Sequence, residues 1–319
     1  MSFSQDSKNE ILEQNLEKKV CPQAFIYGLF LACGEYNKTE NKHYFLTDLE
    51  NVFPLIKKIF KINLKNADLN FDELIKITEI IKIAHKNYYK FEINSNLFLD
   101  FIKIDMNNNV AINCDLVATN ANEMKSFCVG AFLGCATSSI KISKNPQDKT
   151  SSGYHLEFSS KNYGFLSMLS EYLAEFEINA KLLKRKNTYV LYIKDAEQVS
   201  DTLALVGANS SVIELQNEIV KREFRNKINR QTNCESGNIT KMVNASMKQL
   251  EAIDKIEATI GLSSLPPDLE EVAILRLANP EESLTDLLKL STLNLTKSGL
   301  NHRLRKLISI ADNLTWFKI

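Results

Sequence analysis

The chain has 319 residues, and its 39 basic and 39 acidic residues cancel to a formal net charge of zero. This balance excludes a globally basic protein, so any nucleic-acid surface must come from local segregation of charge. No apolar run reaches the length of a membrane span, and residues 1–19 lack the apolar core of a signal peptide, so we expect a cytoplasmic protein without a membrane partner.

The cysteines and histidines do not form a metal-binding pattern. The six cysteines include no CxxC pair, and the four histidines are scattered along the chain. Most of the cysteines lie in apolar segments, which is typical of reduced, buried residues. We therefore predict no metal site and no cofactor.

The first half of the chain shows a mixed pattern of helices and strands. We predict a helix at residues 24–33, a strand at 44–47, a helix at 52–60 and a strand at 88–93. Residues 61–87 fit a helix as well as a strand. This half-repeat extends over about residues 20–115.

The second half, at about residues 124–208, follows the same plan more clearly. The apolar spacing predicts helices at 124–135, 163–176 and 196–206 and strands at 140–142, 154–158, 180–183 and 188–193. The order αββαββα gives an antiparallel sheet with helices on one face.

One short apolar segment occurs in both halves. Residues 27–34 and 129–136 match at a constant offset of 102 positions, which pairs Gly28 with Gly130 and Cys33 with Cys135. Small residues let two helix backbones approach closely. We therefore predict that the two halves form one domain, residues 1–210, and meet along these helices.

Residues 211–260 have the apolar spacing of helices, and we expect Gly237 to break or bend them. We assign residues 211–264 to a helical linker. Pro266 and Pro267 mark the start of a C-terminal domain, residues 265–319.

The C-terminal domain has the pattern of a helix-turn-helix. A helix at residues 268–277 precedes a capping box at Ser283 that opens a helix to Leu290, and Thr296 caps a helix to about Asp312. The second helix of this motif enters the major groove of DNA. We predict DNA contacts from its polar positions, Lys297, Ser298, Asn301, His302, Arg303, Arg305 and Lys306. The alternative is a small helical bundle with a solvated basic face.

The linker carries a second basic cluster. Residues 221–248 contain seven basic and two acidic residues, together with several asparagines. Basic groups neutralise phosphates, and amides reach base edges or sugar–phosphate oxygens. The candidate contacts are Arg222, Arg225, Asn226, Asn229, Arg230, Asn233, Asn238 and Lys241. The alternative is that these residues form a solvent-exposed helix face that does not bind DNA.

The duplicated segment resembles a degenerate LAGLIDADG motif, the interface helix of the homing endonucleases. In that family each copy ends in an acid that holds catalytic metal ions, which prefer oxygen ligands. Cys33 and Cys135 stand at the acid positions here, and a thiol is a poor Mg²⁺ ligand. The resemblance implies that the chain has the fold of the homing endonucleases but lacks their catalytic acids.

Residues 206–208, 225–238 and 297–307 resemble signature segments of the WhiA regulators. The resemblance implies an α+β protein, in which a duplicated αββαββ LAGLIDADG-like domain precedes an all-α linker and a helix-turn-helix domain. It also implies a non-enzymatic, sequence-specific transcription regulator in cell division, chromosome segregation or sporulation.

The implied partner is double-stranded DNA in the nucleoid. The transcription machinery is a further implied partner, and in actinobacterial relatives an iron–sulfur WhiB-type regulator is another. Two alternatives remain open. One is an active homing endonuclease, and the other is a scaffold whose N-terminal domain binds only a protein.

Overall fold

A computed structural model of the chain describes residues 2–64, 75–83, 86–102, 118–142 and 153–314. The chain forms two compact units, Met1–Arg222 (unit 1) and Glu223–Ile319 (unit 2). Each unit is described by itself below.

Unit 1 contains two copies of one helix-and-strand plan. The first copy comprises α2 (Pro22–Cys33), β1 (Gly34–Asn37), β2 (Lys42–Thr47), α3 (Val52–Asn63), β3 (Ile75–Ile83), β4 (Lys86–Asn94) and α4 (Ser95–Ile102). The second comprises α5 (Ala121–Cys135), β5 (Ala136–Ser138), β6 (Leu156–Ser160), α6 (Tyr163–Ala174), β7 (Lys181–Arg185), β8 (Thr188–Ile193) and α7 (Ala196–Val206). An additional helix, α1 (Phe3–Glu13), precedes both copies. The predicted αββαββα order is therefore present twice.

Each copy builds an antiparallel four-stranded sheet with the same topology. The strand orders are β1-β2-β4-β3 and β5-β6-β8-β7. The registers also correspond, because Gly34 pairs with Phe45 in the first sheet and Ala136 pairs with Phe158 in the second. Phe45 and Phe158 are both buried beneath their sheets.

Helices α2 and α5 pack against each other at backbone contact, and we call this contact the seam. A Cβ atom on Gly28 would overlap the carbonyl oxygen of Phe127, and one on Gly130 would overlap the carbonyl oxygen of Phe25. The two overlaps are reciprocal, because Phe25 and Phe127 have the same offset of 102 positions as the glycines. The predicted close approach of the duplicated helices is confirmed.

Helix α1 connects the start of the chain to the C-terminal end of unit 1. The Glu10 carboxylate accepts hydrogen bonds from the backbone N–H of Ser211 (3.0 Å) and from its hydroxyl (2.9 Å). The Gln14 side-chain amide donates to the carbonyl of Gly207 at 2.6 Å. Ser211 lies in the first turn of a 51-residue helix, α8 (Asn209–Thr259), so Glu10 satisfies backbone donors at its N-terminus.

Unit 2 contains the rest of α8 and three shorter helices. These are α9 (Pro267–Ala278), α10 (Leu284–Leu290) and α11 (Lys297–Asn313). Their core joins Ile253 and Ile256 of α8 to Val272 of α9, Leu287 of α10 and Leu304 of α11.

Two expectations about local structure are wrong. The strand predicted at residues 140–142 lies earlier, at Ala136–Ser138, because the chain passes from α5 directly into pairing with β6. Gly237 does not interrupt the helix, which continues to Thr259. A single helical glycine costs only about 1 kcal/mol relative to alanine, which the flanking turns offset.

The structure also contains two helices that were not predicted, and it assigns part of the ambiguous segment. Helices α1 and α4 were not expected from the sequence. Within the ambiguous residues 61–87, the structure gives the end of α3 and the strand β3. Residues 65–74, 84–85 and 103–117, which include the predicted end of the first half-repeat, lie outside the described residues.

We expect Gly130→Ala to destabilise unit 1. The added methyl group meets the backbone of α2 rather than a flexible side chain, so relief requires the seam to open. Overpacking of this kind costs roughly 1–3 kcal/mol. Chemical denaturation followed by circular dichroism measures the change.

The matched control is Gly237→Ala. Beyond the helix's own backbone, no heavy atom of the described residues lies within 4 Å of a Cβ at this position, so the substitution should stabilise α8 by about 1 kcal/mol. If Gly130→Ala unfolds at the same denaturant concentration as the unmodified protein, the close contact at the seam is refuted.

Candidate nucleic-acid interface

Helix α11 is positioned by its apolar side. Thr296 caps its N-terminus by accepting a hydrogen bond from the Gly299 N–H at 3.1 Å. Leu300, Leu304 and Leu307 are buried in the core of unit 2. Because these three residues fix the rotation of the helix, the intervening polar residues face outward.

The outward side of α11 is basic. Lys297, Ser298, His302, Arg305 and Lys306 are exposed, whereas Asn301 is partly buried. Residues 297–306 contain no acidic residue. This side can donate hydrogen bonds to phosphates and to guanine or adenine edges.

Arg303 differs from its neighbours on α11. Its Nε atom lies 3.0 Å from Oδ2 of Asp268, in the first turn of α9. The hydrogen bond from Arg303 holds the pKa of Asp268 below its ordinary value. The structure thus gives this predicted base-reading residue an intramolecular partner, and Arg303 ties α11 to α9.

A buried arginine organises the segment between α9 and α10. Arg276 is 2% exposed, and its Nη1 atom donates to the carbonyls of Glu282 (2.9 Å) and Asn279 (3.3 Å). Burial lowers the pKa of its guanidinium. Ser283 then caps α10 by accepting from the Asp286 N–H, which confirms the cap expected from the sequence.

The polar side of α8 carries most of the predicted linker contacts. At 100° per residue, Asn226, Asn229, Arg230, Asn233 and Lys241 lie on one side of the helix, and all five are exposed. Arg225, which is partly buried, and the exposed Asn238 lie at the flanks of this side. The side can follow a phosphate backbone over several turns.

Arg222 is placed differently from these residues. Its Nε lies 2.8 Å from Glu218, its Nη2 donates to the carbonyl of Lys141 at 2.7 Å, and its guanidinium stacks on Tyr154. Only 12% of its side chain is exposed. Arg222 therefore helps to hold unit 1 together, and these contacts compete with its predicted role as a phosphate contact.

The two sheets of unit 1 neutralise part of their own positive charge. Glu92 lies between Lys42 (3.1 Å) and Lys76 (3.2 Å) on the first sheet. Burial would raise the pKa of Glu92, but the hydrogen bonds from both lysines outweigh it and lower the pKa. On the second sheet, Glu157 lies 3.4 Å from Arg185 and 3.0 Å from His155.

The residues at the former acid positions do not fit a divalent metal ion. Burial raises the pKa of Cys33 and of Cys135 to about 12, so both remain neutral thiols at pH 7. Their sulfurs donate to the carbonyls of Leu29 (3.3 Å) and Ala131 (3.5 Å) in the preceding turn. A metal-binding cysteine requires a thiolate.

Lys8 of α1 is buried close to the two cysteines. It is 5% exposed, burial lowers its pKa, and Asp48, Cys135 and Cys33 lie near enough to influence it electrostatically. An amine at this position opposes binding of a cation. Within the described ranges, no three His, Cys, Asp or Glu side chains are grouped to hold a metal ion.

Lys8, Asp268 and Arg276 were not predicted from the sequence. For Lys8 a signal existed, because Phe3, Ser7 and Ile11 recur at helical spacing and are buried in the structure. The same signal marks Arg276, which continues the helical spacing of the buried Leu269, Val272 and Ala273. No such pattern marks Asp268. None of the helices in the described part of the chain is long and apolar enough to cross a membrane.

Comparison with known proteins gives two family matches. Residues 22–92 and 124–225 match the WhiA LAGLIDADG-like domain, and residues 228–311 match the WhiA C-terminal HTH domain.

Individual relatives match along almost the entire chain. The probable cell division protein WhiA of Clostridium acetobutylicum is 36% identical over an alignment of 323 positions that covers 98% of this chain and 98% of its own. The protein of the same name from Clostridium tetani is 35% identical and covers 99% of this chain and 98% of its own. The crystal structure of full-length DUF199/WhiA from T. maritima aligns with a TM-score of 0.55 at 25% identity, over 99% of this chain and all of that one. The chain belongs to the WhiA family.

Proposed function

We propose that this protein is a sequence-specific DNA-binding transcription regulator involved in cell division, chromosome segregation or sporulation. The observation that carries the proposal is the exposed, acid-free basic side of α11, held outward by its buried leucines. The curated relatives are named as probable cell division proteins, which supports the assignment to the cell cycle. The protein would act in the cytoplasm, at the nucleoid.

In this proposal α11 reads base edges. Lysine and arginine pair with guanine and asparagine pairs with adenine in the major groove. The contacts would come from Lys297, Ser298, Asn301, His302, Arg305 and Lys306. Arg303 acts mainly as a positioning residue, because Asp268 occupies its Nε atom.

The polar side of α8 would grip the sugar–phosphate backbone. Its charges are spread along the helix rather than focused on one position, which suits repeated phosphates better than one base pair. The residues proposed for this role are Arg225, Asn226, Asn229, Arg230, Asn233, Asn238 and Lys241.

Unit 1 would serve as a platform without nuclease activity. Neutral thiols and a buried lysine at the former acid positions give no ligand set for a catalytic metal ion. The paired charges around Glu92 and Glu157 favour a protein partner, such as the transcription machinery, over a phosphate backbone on the sheets. We retain the division into a domain at 1–210, a linker at 211–264 and a DNA-reading domain at 265–319 as part of this proposal.

A salt titration of two variants tests the separation of base reading from backbone binding. Arg305→Ala should weaken binding to the true site by about 1–3 kcal/mol and change binding to random DNA much less. Arg230→Ala should weaken binding to both and reduce the slope of log affinity against log salt by about 0.9 for the lost phosphate contact. The true site would first be found by genome-wide footprinting of the intact protein.

The control for this titration is Arg222→Ala. Its guanidinium is occupied within unit 1, so the salt slope should stay unchanged. Unchanged affinity and slope in Arg230→Ala would show that the polar side of α8 does not contact DNA. Unchanged specific affinity in Arg305→Ala would show the same for the proposed recognition helix.

We also expect no metal-dependent cleavage of duplex DNA. Incubation of the intact protein with Mg²⁺ or Mn²⁺ and DNA containing a bound site measures this directly. Specific cleavage above that of a mock-purified control would support the endonuclease alternative and would require ligands outside the two seam cysteines.

A further inference from the structure

Helix α8 exposes apolar residues on the side away from Asn226, Arg230 and Lys241, and Arg225 and Glu235 lie on the same side as these apolar residues. Phe224 is 65% exposed, Ile228 45%, Ile239 58% and Val243 46%. The spacings of four, eleven and four residues place all four on one side of the helix, since eleven residues are close to three turns. We call these four residues the apolar stripe.

The apolar stripe is symmetric about its own midpoint. Phe224 and Val243 are equally distant from the position between Asn233 and Cys234, and so are Ile228 and Ile239. A second copy of the helix, turned to run antiparallel, would therefore bring Phe224 against Val243 and Ile228 against Ile239. An isologous interface requires this reciprocity, because each residue must meet the same partner on both copies.

We infer that α8 pairs with α8 of a second copy of this chain through the apolar stripe, in antiparallel orientation. The pairing extends about 28 Å, at 1.5 Å per residue between Phe224 and Val243. Burial of exposed apolar side chains supplies the driving force.

The charges on the paired segment fit this orientation. Of the six charged residues within residues 223–244, only Arg225 and Glu235 lie on the side of the apolar stripe. In the symmetric register they face Met242 and Thr232 of the other copy, which are uncharged. A parallel pair would instead place each of these two charges opposite itself, and juxtaposed like charges are unfavourable.

The dimer leaves free the side of α8 that carries Asn226, Arg230 and Lys241. Arg225 lies in line with Val243, five turns away, and would border the dimer interface. The dimer also supplies two copies of α11 related by a two-fold axis. This second consequence depends on the proposed function: the operator should consist of two inverted half-sites, since operator symmetry mirrors protein symmetry in such dimers.

Sedimentation equilibrium of the full chain tests the pairing through a charge-exchange design. Ile228→Lys and Ile239→Glu should each weaken self-association by at least about tenfold, equivalent to 1.4 kcal/mol. The double variant Ile228→Lys/Ile239→Glu should restore it, because each lysine then faces a glutamate of the other copy. Within one chain the two positions are about 16 Å apart, too far to pair. Asn244→Lys, on the side of the helix away from the apolar stripe, is the control for added charge and should not change self-association.

Cross-linking supplies an independent readout of the register. Cys234 is exposed and is first replaced by serine. In this background, a mixture of Ile228→Cys and Ile239→Cys chains should cross-link with a short bis-maleimide, because these two positions face each other only in the antiparallel pair. Cross-linking of Ile228→Cys chains alone would indicate the parallel register.

A protein that stays monomeric at every concentration would overturn the inference. The apolar stripe would then be a binding surface for a different protein. A dimer that the double variant fails to restore would overturn the antiparallel register. Neither outcome affects the proposed DNA binding, which the salt titration measures separately.

Discussion

Unit 1 depends on backbone contact between α2 and α5 at Gly28 and Gly130. Neither position has room for a Cβ atom, because the backbones of α2 and α5 are in direct contact there. This contact fixes the relation between the two four-stranded sheets, since the first strand of each sheet starts at the end of a seam helix. It also brings Cys33 and Cys135, the last residues of those helices, next to each other.

Packing at the seam does not depend on the residues at the ends of its two helices. Packing depends on the small residues of α2 and α5, whereas metal binding depends on the side chains at their C-terminal ends. Neutral thiols and the buried Lys8 replace the metal-ligand set without disturbing the glycines. Positive charge is concentrated in residues 221–248 of α8 and 297–306 of α11, the two segments proposed to contact DNA, although the net charge of the chain is zero.

Repetition and periodicity made much of this structure predictable. The offset of Gly28 and Cys33 from Gly130 and Cys135 predicted the seam, and the caps at Ser283 and Thr296 predicted the last two helices. The features that could not be predicted depend on contacts between distant segments. Whether residues 136–138 or 140–142 join the sheet is decided by β6, and the engagement of Arg222 is decided by Lys141 and Tyr154, which no local pattern records.

Hydrogen–deuterium exchange of the intact protein, with and without its DNA site, tests the central claim most directly. The account predicts slower exchange in peptides that cover residues 226–241 and 297–306, and unchanged exchange in β2, β4, β6 and β8 of the two sheets. Protection of these strands by DNA, with no protection of α11, would contradict it.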